Sequence, residues 1–118
     1  MKRVIFIGLI LVLAVGVVFA QQRFRNGTVT VTGTSYDPAV SEQNGSMTVA
    51  VTFARNRITN IVISEHTDTQ AFVNMVSSQL IPAIISAQSV DVDVVTGATG
   101  SSNGLKDAVS KAIEQAKR

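Results

Sequence analysis

Residues 46–65 read SMTVAVTFARNRITNIVISE, and this stretch decides the fold. Apolar and polar residues alternate through residues 46–54, which is the period of a half-buried strand. The apolar set that shares one face of this strand is Met47, Val49, Val51 and Phe53. A short turn around Asn56 separates it from a second apolar run at residues 58–65. Two such runs joined by a short Asn-containing turn predict a β-hairpin.

Two further features extend the predicted sheet. Residues 61–63 are Ile-Val-Ile without alternation, and a continuous apolar run is typical of a strand buried on both faces. We therefore expect the second hairpin strand to lie inside the sheet. Upstream, residues 28–32 read TVTVT, whose alternation and β-favouring residues predict another strand. The Gly-, Ser-, Pro- and Asn-containing residues 33–45 predict a loop between them.

The pattern changes to a helical period after residue 66. Thr67 and Gln70 occupy capping-box positions, so a helix is predicted to begin there. Its apolar residues at helical spacing are Phe72, Met75, Val76, Leu80, Ala83, Ile84 and Ala87. Pro82 has no amide proton and disfavours helix at Ile81, which predicts a kink or a second helix starting there. Residues 90–95 are expected to form a strand or an extended segment.

A second amphipathic helix is predicted from about Asn103 to the end of the chain. Its apolar stripe consists of Leu105, Ala108, Val109, Ala112, Ile113 and Ala116. The final Lys117 and Arg118 are cations at the end where the helix dipole favours them. The order of elements predicts an α+β fold, a small antiparallel sheet with helices packed on one side.

The first twenty residues have a different character from the rest. Lys2 and Arg3 precede a run from Val4 to Ala20 that contains no charge. A basic start, an apolar run and small residues before a cut predict a secretory signal peptide cleaved after Ala20. The run is almost long enough to span a bilayer, so an uncleaved N-terminal membrane anchor is the alternative. Both interpretations place residues 21–118 outside the cytoplasm, in the periplasm or cell envelope.

Composition excludes several classes of function. The chain has 118 residues, ten Lys and Arg, eight Asp and Glu, and no cysteine. Removing Lys2 and Arg3 with the signal leaves eight cations against eight anions, so no basic footprint supports nucleic-acid binding. The lack of cysteine excludes disulfides, thiolate nucleophiles and cysteine-held iron–sulfur clusters. The core alone must stabilise this single domain.

Most routes to catalysis are also unsupported. His66 is the only histidine, and its spacing from the serine and aspartate residues gives no support for a Ser–His–Asp catalytic triad. Glu65, His66 and Asp68 lack a second histidine or cysteine, so we expect no metal site and a hydrogen-bonded surface histidine instead.

Residues 91–104, DVDVVTGATGSSNG, are the most informative stretch for function. This is a turn rich in glycine and hydroxyl groups that leads into a helix, where backbone amides and the helix dipole attract phosphate. It matches neither a Walker loop nor a dinucleotide fingerprint. On local physics alone, a plain turn with Ser101 or Ser102 capping the last helix is an equally good interpretation.

A family resemblance distinguishes these interpretations. Asp93-x-x-Thr96-Gly97-Ala98-Thr99 resembles the flavinylation motif of the FMN-binding domain family, Asp-x-x-Ser/Thr-Gly-Ala-Thr. That family includes the C subunit of the sodium-pumping NADH:quinone reductase, the G subunit of Rnf complexes and many small exported domains. Similarity continues at residues 32–34, 65–69, 80–82, 87–89 and 101–105, and so covers nearly all of residues 21–118.

The resemblance implies FMN as cofactor, bound as a phosphoester to Thr99. It implies a phosphate turn formed by Thr96, Gly97 and Ala98, with backbone donors near Ser101 and Ser102. His66 and Thr67 are further candidate contacts to FMN. The resemblance also implies recognition by a magnesium-dependent flavin transferase that uses FAD as donor and reads Asp93 together with residues 96–99.

The same resemblance implies a role as an electron-transfer module between membrane or exported redox proteins, without independent substrate turnover. One departure concerns the ring end of the site. Relatives often carry Pro-Gly and a further glycine after the His-x-x-Thr stretch, whereas residues 70–74 here read QAFVN. Three alternatives therefore remain: noncovalent FMN binding or flavin scavenging, a subunit of an exported flavin-dependent reductase, and a structural domain with a degenerate flavin site.

Overall fold

The chain forms three strands followed by two helices. A computed structural model describes residues 23–37 and 45–118. Its elements are β1 (Gly27–Ser35), β2 (Gly45–Ala54), β3 (Arg57–His66), α1 (Gln70–Ala87) and α2 (Thr99–Ala116). The expected signal peptide or anchor at residues 1–20, and residues 38–44 of the predicted loop, lie outside the described residues. In the part that is described, no helix is long and apolar enough to cross a membrane.

The three strands form one antiparallel sheet in the order β1-β2-β3. Val51 at the centre of β2 pairs with Val29 on one side and with Ile61 on the other. Arg55 and Asn56 form the β2–β3 turn with φ values of 56° and 64°. Positive φ at both central residues is what a tight two-residue hairpin requires. The predicted hairpin and the α+β fold class are therefore confirmed.

The predicted place of β3 inside the sheet is wrong. β3 is an edge strand, and β2 is the central one among the described strands. Ile61 is 4% exposed, whereas the neighbouring Val62 is 48% exposed. Among the described residues, helices cover one face of the sheet, so one residue of the consecutive apolar triplet points away from them.

The core lies between the sheet and the two helices. All four alternating apolar residues of β2 are buried, as predicted. From the helices, the fully buried larger side chains are Val76, Leu80, Ile84, Leu105 and Val109. Gly33 of β1 lies so close to α2 that a Cβ there would overlap the carbonyl oxygen of Gly104. This close approach places the start of α2 directly beside the end of β1.

Helix α1 differs from its prediction in three ways. Its N-cap is Thr69, without a side-chain capping bond, while the Thr67 hydroxyl accepts from the Ser46 amide at 2.8 Å. The capping box was therefore wrong, because Thr67 is already bonded to β2. Pro82 lies inside one continuous helix, and no second helix starts there. Phe72 lies off the buried stripe and is 43% exposed.

The segment before α2 and the start of α2 also differ from the predictions. Residues 90–95 form no strand, which leaves the extended segment of the two predicted alternatives. Helix α2 begins at Thr99 rather than near Asn103, and its N-cap Ala98 makes no side-chain capping bond. Ser101 and Ser102 are consequently helical residues and not caps. Ile113, predicted to dock with the core stripe, is only half-buried at the edge of the core.

The first described residues are attached to the far end of α2. The Phe24 and Phe53 rings pack with centroids 4.9 Å apart. The Arg25 amide donates to the Ala116 carbonyl at 2.8 Å, and the Arg118 amide donates to the Arg23 carbonyl at 3.0 Å. Helix α2 has 18 residues, and at 1.5 Å per residue it is about 27 Å long. The chain therefore enters the domain at the opposite end of α2 from Thr99.

Candidate functional site

A cavity of about 510 Å³ lies at the N-terminus of α2. This volume is within the usual range for small-molecule sites. Its walls come from the end of β1, the start of β2, the segment after β3, the first turn of α1 and the turn before α2. The lining consists of Ser35, Asp37, Gly45, residues 67–69, Phe72 and residues 97–101.

The turn before α2 is held by backbone and buried hydroxyl contacts. Gly97 has φ 86°, in the left-handed region that glycine adopts without strain. The Ala98 amide donates to the Val95 carbonyl at 2.9 Å. The Val95 amide in turn donates to the fully buried Ser102 hydroxyl at 2.9 Å. These bonds fix Thr99 as the first helical residue, with its side chain half-buried at the cavity.

The N-terminus of α2 presents donors to the cavity. The first helical amides have no acceptor within the helix, and here they belong to Thr99, Gly100 and Ser101. The Ser102 amide is not among them, because it donates to the Ala98 carbonyl at 2.9 Å. Free amides together with the positive end of the helix dipole form an anion site suited to a phosphate.

Two buried polar atoms at this cavity have no partner among the described residues. They are the hydroxyl oxygen of Ser35, a residue only 3% exposed, and Asp68 Oδ1. The other Asp68 oxygen accepts a 2.6 Å hydrogen bond from the Ser101 hydroxyl. The Ser35 hydroxyl oxygen lies against Gly104 of α2, and Asp68 Oδ1 lies against Gly45, so both atoms have unused hydrogen-bonding capacity beside the cavity rather than surface exposed to it. A carboxylate oxygen suits a hydroxyl or N–H donor, and the Ser35 hydroxyl suits either a donor or an acceptor.

The structure brings together five of the residues implied for the cofactor. Gly97, Ala98, Thr99 and Ser101 line the cavity from the α2 side, and Thr67 lines it from the segment after β3. These residues come from two parts of the sequence, so the cavity joins the glycine-rich turn to the stretch around the histidine.

Other implied residues lie outside this cavity. Thr96 and Asp93 are exposed beside the turn, and Ser102 is buried beneath it. His66 lines a second cavity of about 420 Å³ next to Glu65. Its Nδ1 is 2.8 Å from the Asp68 carbonyl oxygen, and its Nε2 is 3.1 Å from Gln70 Oε1. His66 thus orders the segment that carries Asp68.

Sequence reasoning did not identify Ser35, Asp68 or Phe72 as site residues. The sequence did contain a signal for Ser35. It shares the inward face of β1 with the apolar Val31, and a polar side chain on a buried face suggests a structural or functional role. Asp68 was considered only as a metal ligand. Phe72 was assigned to the apolar stripe of α1 because it lies at helical spacing from Met75 and Val76, and its register could not be fixed without knowing where α1 begins.

A carboxylate on α2 fastens the end of β1 beside the site. Asp107 accepts from the Thr34 amide at 2.8 Å and lies 3.1 Å from the Lys111 ammonium. Partial burial raises the pKa of Asp107, but the Thr34 amide and Lys111 more than offset it. The net pKa is below the usual value of 3.8, so this carboxylate remains charged at neutral pH.

Fold and site define a small α+β domain with a phosphate-type anion site at a helix N-terminus and a mixed polar and aromatic cavity beside it. Comparison with known protein families identifies the family to which this domain belongs. The family described as "FMN-binding domain" matches residues 43–114, well over half of the chain. The chain belongs to this family, and FMN is its cofactor. The N-terminal amides of α2 and the polar residues that line the cavity fit that cofactor.

Relatives extend the comparison. An uncharacterized protein of Treponema pallidum (strain Nichols) is 32% identical over 80 residues, covering 68% of this chain and 22% of that protein. The NADH:acrylate oxidoreductase of Vibrio harveyi is 30% identical over 94 residues, covering 80% of this chain and 9% of that protein. The chain thus matches only a small part of either relative.

A solved structure shares the fold. The crystal structure of the CPE2226 protein from Clostridium perfringens aligns with a TM-score of 0.56 at 24% identity. The alignment covers 79% of this chain and 88% of that one. This agreement concerns the fold alone.

Proposed function

We propose that this chain is an exported flavoprotein that holds FMN through a phosphoester at Thr99 and passes electrons between redox proteins outside the cytoplasm. The observation that carries the proposal is the position of Thr99. Its hydroxyl belongs to the first residue of α2, at a cavity wall where three backbone amides have no acceptor within the helix and negative charge is favoured.

Attachment requires one group transfer. The Thr99 hydroxyl oxygen forms a bond to the flavin-side phosphorus of FAD, the pyrophosphate bond breaks, AMP leaves, and the hydroxyl proton is released. No atom is oxidised or reduced in this step. A magnesium-dependent flavin transferase is the proposed catalyst, and the product phosphodiester keeps a negative charge beside the amides of Thr99, Gly100 and Ser101.

The exposure of the motif supports recognition by a transferase. Asp93, Thr96 and Gly97 are all exposed, whereas Thr99 is half-buried behind them. An external enzyme could therefore contact these exposed residues while it addresses the hydroxyl at the cavity. Thr96, which does not line the cavity, fits recognition and turn geometry better than direct contact with FMN.

When bound, FMN supplies one- and two-electron redox chemistry, while the protein supplies placement and electrostatics. The α2 amides would hold the phosphate, and the Asp68 carboxylate and Ser35 hydroxyl would bond to polar groups of the cofactor. The resemblance of a 94-residue stretch to part of an NADH:acrylate oxidoreductase supports a redox role for this domain. We propose membrane or exported redox proteins as its electron donor and acceptor.

Export is proposed from residues 1–20, with cleavage after Ala20 or retention as an anchor. If residues 1–20 stay attached as an anchor, the attachment of residues 23–25 determines which end of the domain lies near the membrane. Residues 23–25 attach at the end of α2 that lies about 27 Å from Thr99, taking 1.5 Å per helical residue. A retained anchor would therefore leave the FMN site at the end of the domain facing away from the membrane, where soluble redox partners could reach it.

The test is site-directed loss of covalent flavin. Wild type, Thr99→Ala and Thr96→Ala are each co-expressed with a flavin transferase, denatured, and examined by in-gel flavin fluorescence. Thr30→Ala, an exposed threonine on β1, is the matched control. We expect Thr99→Ala to lose the signal while its far-UV circular dichroism is unchanged. Thr96→Ala should give a weaker signal at the same site, and Thr30→Ala should match wild type.

Two outcomes would contradict the proposal. Full flavin labelling of Thr99→Ala would show that the flavin is attached to another residue. A wild-type protein that is yellow when native but loses all flavin on denaturation would show noncovalent FMN binding instead.

A further inference from the structure

Phe72 has a large apolar side chain that lies outside the buried core. It is 43% exposed, although the next residue, Val73, is only 4% exposed. The buried stripe of α1 runs through Val73, Val76, Leu80 and Ile84, so Phe72 projects to one side of it. A single exposed apolar side chain is normal on a protein surface, so exposure alone gives Phe72 no role and only its position could explain one.

The position of Phe72 supplies that explanation. Its side chain lines the same cavity as Thr99 and Asp68, and it is the only large apolar residue among the described residues of that lining. Met75, one turn further along α1, lies 3.9 Å from where a Cβ on Gly97 would be. Helix α1 therefore lies beside the glycine-rich turn.

The cavity thus has two chemically different sides. The start of α2 offers backbone amides and hydroxyls, and Phe72 on α1 offers the one aromatic ring among the described lining residues. Binding sites commonly combine a few fixed polar groups with an apolar or aromatic wall. A cofactor held by its phosphate at the α2 side would have its planar ring system toward the other wall. Offset stacking on an aromatic side chain is the favourable contact for such a ring.

We infer that Phe72 is the stacking surface for the isoalloxazine ring, a contact that rests on the function proposed above. Phe72 does not take part in attachment, which depends on Thr99. It determines where the ring lies and how far one of its faces is shielded from water.

The test uses a tryptophan as a contact reporter. The chain contains no tryptophan, and an excited oxidised flavin is quenched by electron transfer from an indole in contact with it. Phenylalanine is a poor electron donor and quenches little. We compare Phe72→Trp with Val62→Trp, which places the same residue on the exposed outer face of β3. Both are loaded by a co-expressed flavin transferase, and intact mass reports the loading.

We expect equal loading in both variants and flavin fluorescence severalfold lower in Phe72→Trp than in Val62→Trp. Phe72→Leu, which keeps apolar volume without an aromatic ring, should load normally and expose the flavin more to iodide quenching. If Phe72→Trp does not fold by circular dichroism, Phe72→Tyr serves, because a phenol in contact with a flavin also quenches it.

The outcomes separate the two proposals. Flavin on Thr99 with equal fluorescence in the two tryptophan variants would overturn the Phe72 contact and leave the proposed function intact. If no variant or wild type carries covalent flavin, the apoproteins are titrated with FMN and compared at saturation in the same way. Wild type that takes up no flavin by mass or by titration would overturn the proposed function and the Phe72 contact together.

Discussion

Replacing Ser102 with alanine tests whether this residue supports the site or contacts the cofactor. The Ser102 hydroxyl is fully buried and accepts the Val95 amide at 2.9 Å. Alanine would leave that amide without an acceptor beneath the turn. A buried group deprived of its partner costs about 1–3 kcal/mol.

A matched variant removes the contribution of helix propensity. Alanine is favoured over serine in a helix by up to about 0.5 kcal/mol, and Ser110→Ala on the exposed face of α2 measures that gain directly. Ser102→Ala should therefore be less stable than Ser110→Ala by about 1–3 kcal/mol. For a domain of this size each kcal/mol lowers Tm by roughly 4–8 °C.

The assay is urea unfolding followed by far-UV circular dichroism, with equal slopes required in both variants. Flavin loading of the folded Ser102→Ala protein is measured alongside and should match wild type, because the Ser102 hydroxyl and amide are both bonded away from the cavity. A stability difference below about 0.5 kcal/mol, the usual range for neutral surface substitutions, would refute the structural role. Lost loading in a folded variant would show that Ser102 belongs to the cofactor site.

Three further predictions test the turn, the core and the β1–α2 link. Gly97→Ala should lower stability by about 1–2 kcal/mol, because φ 86° is unfavourable for alanine, and should reduce flavin loading by mass. Leu105→Ala should cost about 2–5 kcal/mol, whereas Ile113→Ala should cost clearly less in the same urea experiment because it is only half-buried; equal losses would mean that the assigned helix face is wrong. Asp107→Asn should be less stable than wild type at neutral pH. Because the folded pKa of Asp107 is lowered, its contribution exists above the unfolded pKa and disappears as pH falls through the folded value. A difference that persists unchanged at lower pH would contradict this.

The predictable parts of the fold were those in which local pattern and tertiary environment agree. β2 alternates cleanly, and all four of its inward apolar residues are buried. The turn at Asn56 needs positive φ, which asparagine tolerates, and it adopts that conformation. In both cases the chemistry of a few neighbouring residues is sufficient.

The mispredicted parts depend on partners distant in sequence. Ile61, Val62 and Ile63 cannot reveal by themselves whether a helix covers each face of the sheet. Thr67 has the chemistry of a helix cap, but its hydroxyl is bonded to the Ser46 amide. The start of α2 at Thr99 depends on the buried hydrogen bond between the Val95 amide and the Ser102 hydroxyl. The hydrophobic periodicity of the sequence does not predict this bond.

The site was predictable at its phosphate end and not at its other walls. The glycine-rich turn is continuous in sequence, so its residues could be named from the motif. Ser35 at the end of β1 is distant in sequence from Asp68 and Phe72, and these residues meet the glycine-rich turn only in the folded domain.

One measurement tests the central claim most directly. The protein is isolated from the cell that makes it, and its intact mass and tryptic peptides are determined. The account predicts an N-terminus at Gln21, or a retained N-terminal anchor in the membrane fraction, and an added mass of FMN minus water on Thr99. An unmodified Thr99 peptide in a flavin-containing protein, or an adduct on Thr96, Ser101 or Ser102, would contradict the account.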